Sequence, residues 1–553
     1  MHPPPGWVWS PSADVIDIVI DGGSPVPMVR DGAWWRPPIE LVAGSDYAFR
    51  LDGDDRDLPD PRTRWQPAGV FGASRVDDPA DFTWRNDDVP VAPWARAVLY
   101  EVHLGTFSAE GTFVGAVDHL DHLVDLGITH LELMPVSAWS GAFGWGYDGV
   151  AWGAPHPTYG SPDDLRRLVD ECHGRGLGVV VDAVYNHLGP EGAVLDRFGP
   201  YTVERSTGWG RAVNLDGPDS DEVRALVLGC VEMWLDDYHV DGLRLDAVHA
   251  LIDASPAHLV AEMVDRARSI EARTGRQRVI VAEWDRHDPV PIVDRPEGGW
   301  GATAQWADDL HHALHVRLTG ESHGYLVDCA HDPNAVREAL ADVYVPRRVT
   351  GDPASEIPVG DHDRSRFVVA LQNHDQVGNR ADGSRIDSLS SIDAQLAAAT
   401  LVLLGPMVPL VFQGEEWASS SPFPFFADYH GALARSVSDG RRTEFADHGW
   451  GEVIEPCSHE TLALARLDWS EPATAPHDRV IAHYRSLIHL RGANPELWAG
   501  APCDVGPSRF VDDPVVELRR GRFAVTVNLS DRPAHSDTGD PLAPWAVTVV
   551  ELP

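Results

Sequence analysis

The sequence predicts an α/β protein whose centre is a closed, parallel (β/α)8 TIM barrel, with a β-sandwich before it and a small β domain after it. Three observations carry this prediction. Between Ala97 and Leu490, eight short apolar runs of strand length alternate with stretches of helical periodicity. The residues on either side of that span read as short strands broken by Gly, Pro and Asp. No Gly-x-Gly-x-x-Gly follows the first apolar run, which disfavours the competing open, doubly wound sheet. At roughly 100–200 residues per domain, 553 residues require more than one unit, and the expected division is 1–95, 96–490 and 491–553.

In chain order, Val15–Ile20 and Tyr47–Leu51 are the clearest strands of the first unit, whose dense aromatics (Trp7, Trp9, Trp34, Trp35, Trp65) suit a sandwich core or an interdomain contact. The barrel opens with the run Ala97–Gly105. A helix follows, with Phe113, Ala116, Val117, Leu120, Leu123 and Leu126 at helical spacing and Gly127 as its stop. The remaining strands are expected at Ile128–Val136, Gly178–His187, Gly242–His249, Val279–Trp284, Ala302–Ala307, Phe367–Asp375 and Pro409–Glu415. Between them the periodicity predicts helices over Asp163–Arg175, Asp221–Tyr238, Ala257–Ala272, Leu310–Leu318 and Ile392–Leu403, with Arg479–Leu490 closing the ring. The tail returns to strands at Val515–Leu518, Phe523–Asn528 and Ala546–Glu551.

Composition excludes whole classes of function. Asp and Glu number 85 against 44 Lys and Arg, a net charge of −41. So acidic a chain repels phosphate backbones and anionic lipid, which argues against nucleic-acid and membrane partners and leaves a neutral or cationic ligand. The sequence has no lysine. Schiff-base chemistry, a lysine-bearing phosphate loop and a kinase strand lysine are therefore ruled out. The five cysteines are scattered, with no Cys-x-x-Cys pair, which fits reduced thiols in the cytoplasm. No signal-peptide pattern opens the sequence, and no run is long and apolar enough to span a membrane.

In a (β/α)8 barrel, reactive side chains gather where strands end. Here those ends read Asp182-Ala-Val-Tyr-Asn-His187, Arg244-Leu-Asp246-Ala-Val-His249, Ala282-Glu283-Trp-Asp285, Asn373-His-Asp375 and Gln413-Gly-Glu-Glu416. Metal-dependent hydrolysis would call for paired His ligands, and neither His-x-His nor His-Glu-x-x-His occurs. Phosphoryl transfer would call for a cationic cradle. Glycoside hydrolysis needs one protonated and one ionised carboxyl group. Asp246 and Glu283 suit that division. Arg244, two residues before Asp246, points to the same face and can hold it ionised. Val281 and Trp284 offer Glu283 apolar flanks that would raise its pKa towards roughly 6. Asp375 supplies a third carboxylate.

The segments Asp182–His187, Gly242–His249, Val279–Glu283 and Asn373–Asp375 resemble, in order and spacing, the four signature regions of the α-amylase superfamily, glycoside hydrolase family 13. Gly144-Trp-Gly-Tyr-Asp-Gly149, Ala154-Pro-His156 and Tyr159-Gly160 are similar to branching enzymes and their relatives. Tyr238–His249, Gln305–His315, Gln413–Trp417 with Pro422–Phe426, and Arg441–Phe445 resemble the maltooligosyltrehalose trehalohydrolases, as do Leu58–Arg62 and Gln66–Val70. The resemblance covers most of the chain. It implies an E-set, immunoglobulin-like front sandwich and a retaining hydrolase that cleaves the α-1,4 bond next to the trehalose end of maltooligosyltrehalose.

The resemblance also implies roles. Asp246 would be the nucleophile, Glu283 the acid/base and Asp375 the transition-state stabiliser. Tyr147 would stack on the sugar that is cleaved, His187, Arg244 and His374 would line the same subsite, and Trp209 and His249 would lie near the leaving trehalose. One departure is Trp284, where the family often has Ser. Amylases use the residue at the position of Asn186 as a calcium ligand, but the short segment after it shows no calcium-binding acidic set, so neither metal nor cofactor is expected. The expected partner is a neutral α-glucan oligosaccharide, produced by a maltooligosyltrehalose synthase. Two alternatives stay open at this point: a 1,4-α-glucan branching transferase and a catalytically inactive sugar-binding barrel.

Overall fold

The computed structural model describes residues 3–351, 356–445 and 453–552. Eight parallel strands close into a barrel: β1 (Leu99–Val102), β2 (His130–Leu133), β3 (Gly178–Ala183), β4 (Gly242–Leu245), β5 (Val279–Ala282), β6 (Ala304–Trp306), β7 (Phe367–Ala370) and β8 (Val408–Phe412). They follow chain order around the ring, and β8 pairs with β1. All eight predicted strands form, each shorter than its apolar run. Asp246, Glu283 and Asp375, at the ends of those runs, lie past the ladder on the barrel rim, while Asp182 and Arg244 stay within it. The strands are buried along their whole length, as expected of parallel strands covered on both faces.

The helices form where periodicity places them, with two instructive differences. The predicted helix over 113–126 is two helices, Phe113–Val117 and Leu120–Leu126. The break at His119 brings its ring onto Trp469, with centroids 3.9 Å apart. Gly127 ends the second helix at φ 96°. The helix after β3, Ser220–Glu232, passes into a π-helical turn over Met233–Asp237. The wider turn keeps Trp234 and Leu235 in the core. The helices Val327–Ala330 and Ala335–Asp342 between β6 and β7, and Gly431–Phe445 and His459–Ala465 after β8, are additions that periodicity did not signal.

The N-terminal residues form two small antiparallel sheets. One joins Val8–Trp9, Trp34–Arg36 and Val29–Asp31. The other joins Val26–Pro27, Ile16–Ile20, Asp46–Leu51 and Ser74–Arg75. The dense aromatics belong to this packing. Trp9 meets Tyr201 edge to face at 5.3 Å, Phe49 meets Phe198, and the Ser10 hydroxyl donates to the Phe198 carbonyl. The front sheets therefore brace the loop that leads out of β3 to a hairpin, Thr202–Ser206 with Arg211–Val213. At the other end, a four-stranded antiparallel sheet (Asp504–Val505, Val515–Arg520, Phe523–Asn528, Val547–Glu551) packs against the barrel.

Arginine does the work of joining these parts. Fully buried Arg520 donates to the carbonyls of Leu404, Gly405, Leu497, Trp498 and Ala501, and fully buried Arg491 donates to those of Leu403, Gly405 and Met407. Only a guanidinium offers enough fixed donors for such a cluster. Replacing Arg520 with Met strands several buried carbonyls and should lower the thermal midpoint by at least about 2 °C. Arg520→Lys keeps the charge but supplies one nitrogen, so it should not restore the loss. Equal midpoints in all three proteins would mean that this cluster does not hold the C-terminal sheet.

Candidate active site

β3 and β4 pair in a register that sets Asp182 beside Arg244. The Arg244 side chain is fully buried, and its Nη1 donates to both Asp182 oxygens at 2.7–2.8 Å and to Asp246 Oδ1 at 3.0 Å. Its Nη2 lies 3.0 Å from Glu283 Oε2. The Trp306 ring covers the guanidinium at 4.3 Å. One cation thus faces three carboxyl groups in a site closed to water beneath.

Asp246 comes just after β4. Its other oxygen accepts from Asn186 Nδ2 at 2.7 Å, and the same nitrogen donates to its carbonyl at 2.9 Å. The next residue, Ala247, has φ 40°, a left-handed conformation that costs a non-glycine residue energy. That turn aims the Ala247 N–H at Glu283, which accepts it at 2.6 Å. Burial pushes the Glu283 carboxyl up to about 7. Arg244 opposes the shift, and the negative charges of Asp246 and Asp375 add to it. Burial also raises Asp246, against the pull of Arg244 and the hydrogen bond from Asn186. Burial agrees with the expected apolar surroundings, of which Val281 is fully buried, but the second expected flank, Trp284, is engaged elsewhere. Trp284 packs edge-on against Trp300, at 5.1 Å, and under the Arg286 guanidinium. The elevation comes from the depth of the rim and the neighbouring charges.

Asn373 caps the short helix His374–Gly378, its side chain accepting from the backbone of Asp375 and Gln376. This cap sets His374 inwards and Asp375 at the mouth. Asp375 is the most exposed of the three carboxyl groups, at 42% against 21% for Glu283 and 13% for Asp246. It lies 3.5 Å from His374 Nε2 and accepts from Asn379 at 3.2 Å. His374 Nδ1 donates to Glu101 at 2.6 Å. Burial disfavours the imidazolium, but Glu101 and Asp375 outweigh it and raise His374 to about 9. The ring is therefore a second fixed cation at neutral pH.

Tyr147 links the two charged centres. Its hydroxyl donates to Asp182 at 2.6 Å and its ring stacks on His374 at 5.0 Å. The glycine-rich segment around it is needed for the close approach: Gly146 has φ 98°, and a Cβ there would lie 2.2 Å from the Pro135 carbonyl oxygen. His187 is buried, bonds to Asn186 through Nδ1 and has its pKa lowered by burial. Trp209, on the hairpin after β3, is 53% exposed; its ring lies 6.1 Å from His187 and 5.8 Å from His249. His249 Nδ1 is 3.5 Å from Asp285. All nine residues singled out from the sequence meet around one mouth, with Trp209 and His249 at its edge.

Three participants were missed. Glu101, inside β1, holds His374. Asp308 follows β6, accepts from Gln376 at 3.1 Å and is raised to about 7 by burial and by Glu283 and Asp375. Trp306 covers Arg244. A carboxylate within the apolar run Leu99–Val102 was a visible signal for Glu101; nothing in the spacing marked Asp308. Among the described residues, no group of three or more His, Cys, Asp or Glu side chains could hold a metal ion. The Asn186 amide is committed to Asp246 and its carbonyl oxygen faces His187.

Comparison with known proteins agrees with this geometry. Residues 75–209 match the family model "Alpha amylase, catalytic domain". The chain is 41% identical to the malto-oligosyltrehalose trehalohydrolase of Arthrobacter ramosus over 95% of its own length and 93% of the relative. It is 39% identical to that of Mycobacterium tuberculosis (strain ATCC 25618 / H37Rv), over 95% of its own length and 92% of the relative. The chain belongs to the malto-oligosyltrehalose trehalohydrolase family. It is thus a glycoside hydrolase of the α-amylase family. A 1.4 Å crystal structure from Salmonella typhimurium, provisionally named an alpha amylase, superposes with a TM-score of 0.91 at 34% identity, covering 99% of this chain and 97% of that one.

A trehalohydrolase-family site of this kind makes a direct prediction for Glu283. Glu283→Gln removes the transferable proton and should cost about 10²–10⁴-fold in turnover while substrate binding survives. A substrate with a good leaving group should be cleaved far less impaired. In the unaltered enzyme, kcat/KM should fall as pH rises through about 7, where Glu283 loses its proton, and fall again in acid as Asp246 gains one. Near-normal turnover by Glu283→Gln would move the acid elsewhere, with Asp285 and Glu416 the next rim carboxylates to test.

Proposed function

We propose that this chain hydrolyses the α-1,4 glucosidic bond next to the trehalose end of maltooligosyltrehalose and releases trehalose. The observation that carries the mechanism is the shared guanidinium of Arg244, within 3.0 Å of both Asp246 and Glu283. It draws the two carboxyl groups together on one edge of the mouth, which suits the short separation of a retaining glycosidase. In the first step the Asp246 carboxylate attacks the anomeric carbon as Glu283 protonates the departing glycosidic oxygen, and trehalose leaves. In the second, Glu283 takes a proton from water, which displaces Asp246 and frees the shortened maltooligosaccharide. Asp375, at the mouth beside the imidazolium of His374, grips sugar hydroxyls as the oxocarbenium-like centre develops. Tyr147 offers its ring to the sugar being cleaved, with His187 beside it.

The family relatives favour this reading over branching transfer, and the intact carboxylate set favours it over an inactive barrel. Its substrate would be supplied by an enzyme that converts the reducing end of a maltooligosaccharide into a trehalose unit, a maltooligosyltrehalose synthase. A cytoplasmic location fits the five cysteines, all free of disulfides. No described helix is long and apolar enough to cross a membrane.

Purified protein incubated with maltooligosyltrehalose should release trehalose and a maltooligosaccharide whose new reducing end is initially the α-anomer by NMR. Glucan branching without free trehalose would support a transferase, no reaction would support the inactive barrel, and a β-anomer would remove Asp246 as nucleophile.

A further inference from the structure

A cavity of about 1050 Å³ lies between the barrel and the C-terminal sheet, and none of its lining residues belongs to the candidate catalytic site. One wall is the end of helix Asp309–Thr319, with Arg317, and Ser391 at the start of helix Ile392–Leu404. The other wall comes from the C-terminal unit and carries Phe510, Asp512, Arg532 and Trp545. The volume is at the upper end of the roughly 300–1,000 Å³ typical of small-ligand sites.

Two aromatic side chains stand in the wall. Trp545 has φ 55°, at the third position of the turn Ala543–Ala546, where the Ala546 N–H donates to the Ala543 carbonyl at 3.1 Å. That conformation favours Gly or Asn and is unfavourable for a bulky residue. The half-buried indole packs on one side against the core of the C-terminal sheet and presents the rest of its surface to the groove. Phe510 is 59% exposed, also facing the groove. Charged groups of both signs surround these rings, Arg317, Arg509 and Arg532 with Asp512 and Asp531. An anion or a cation would meet repulsion from some of them. A neutral polyhydroxyl ligand can bond to carboxylates as donor and to guanidinium groups as acceptor, while the aromatic faces take the apolar faces of its rings.

We propose that this groove is a second carbohydrate site, which binds a stretch of α-1,4-glucan away from the point of cleavage. The choice of an α-glucan among neutral oligosaccharides rests on the proposed function. The groove adjoins the segment that follows β7: it includes Gly320, Ser390 and Ser391, and the residue after Gly320, Glu321, pairs at 2.8 Å with Arg380. A long chain engaged at the mouth and in the groove would be held by both, so affinity would grow with chain length.

The test is calorimetric titration of maltoheptaose into the full chain carrying Glu283→Gln, which prevents turnover. Two binding events are expected. Adding Phe510→Ala or Trp545→Gly should weaken one of them at least about tenfold and leave the other unchanged. Trp545→Gly suits the left-handed turn but gives up packing against the sheet, so its thermal midpoint is measured alongside; exposed Phe510 provides a second variant that depends on neither. In the otherwise unaltered enzyme, either variant should raise KM for long trehalose-ended chains and leave the shortest substrate unaffected. A single binding event in the parent, or two that survive both substitutions, would overturn the proposal. Absence of trehalose release with two events intact would overturn the proposed function and leave the groove standing.

Discussion

The site depends on one buried cation meeting more negative charge than it can neutralise. Arg244 sits within 3.0 Å of Asp182, Asp246 and Glu283, beneath the ring of Trp306. Two carboxylates can share the guanidinium and still find further donors, Asp182 from Tyr147 and Asp246 from Asn186. Glu283 has the weakest claim: a backbone N–H and one guanidinium nitrogen, against burial and two neighbouring negative charges. A proton on Glu283 is the cheapest way to settle that imbalance. The general acid is therefore created first by burial and then by the surplus of carboxylates around Arg244.

A second charged centre mirrors the first. Glu101 keeps His374 protonated, and the imidazolium stands next to Asp375 at the mouth. Tyr147 touches both centres, donating to Asp182 and stacking on His374. Displacing it would disturb both at once. The same reliance on rigid, multi-donor cations appears away from the site, where Arg491 and Arg520 gather backbone carbonyls between the barrel and the C-terminal sheet. In a lysine-free chain, every positive side chain other than His is a planar fork that can hold several acceptors in fixed geometry.

Much of this was legible in the sequence because the barrel writes its strands as apolar runs and ends them in its reactive residues. The register that brings Asp182 to Arg244 and then Asp246 to Asn186 follows from neighbouring parallel strands of matched length. What was not legible is contact between distant segments. Glu101 and His374 are 273 residues apart, and Asp308 reaches the site only through the closure of β6 onto β7. Trp284 was misjudged for a related reason: adjacency in sequence to Glu283 suggested a flank, but the chain turns the indole towards Trp300. The left-handed turn at Ala247, which brings an N–H to Glu283, has no signature in an alanine.

The central claim is that crowding around Arg244 divides the protonation states of Asp246 and Glu283. Site-resolved carboxyl titration, by ¹³C NMR or difference infrared spectroscopy, tests it most directly in the unaltered enzyme and in Asp246→Asn. The account predicts that Glu283 titrates near about 7 and well above Asp246 in the unaltered enzyme, and that its pKa falls when Asp246→Asn removes the neighbouring charge. A Glu283 that titrates in the ordinary carboxylate range, or that does not respond to the loss of Asp246, would contradict it.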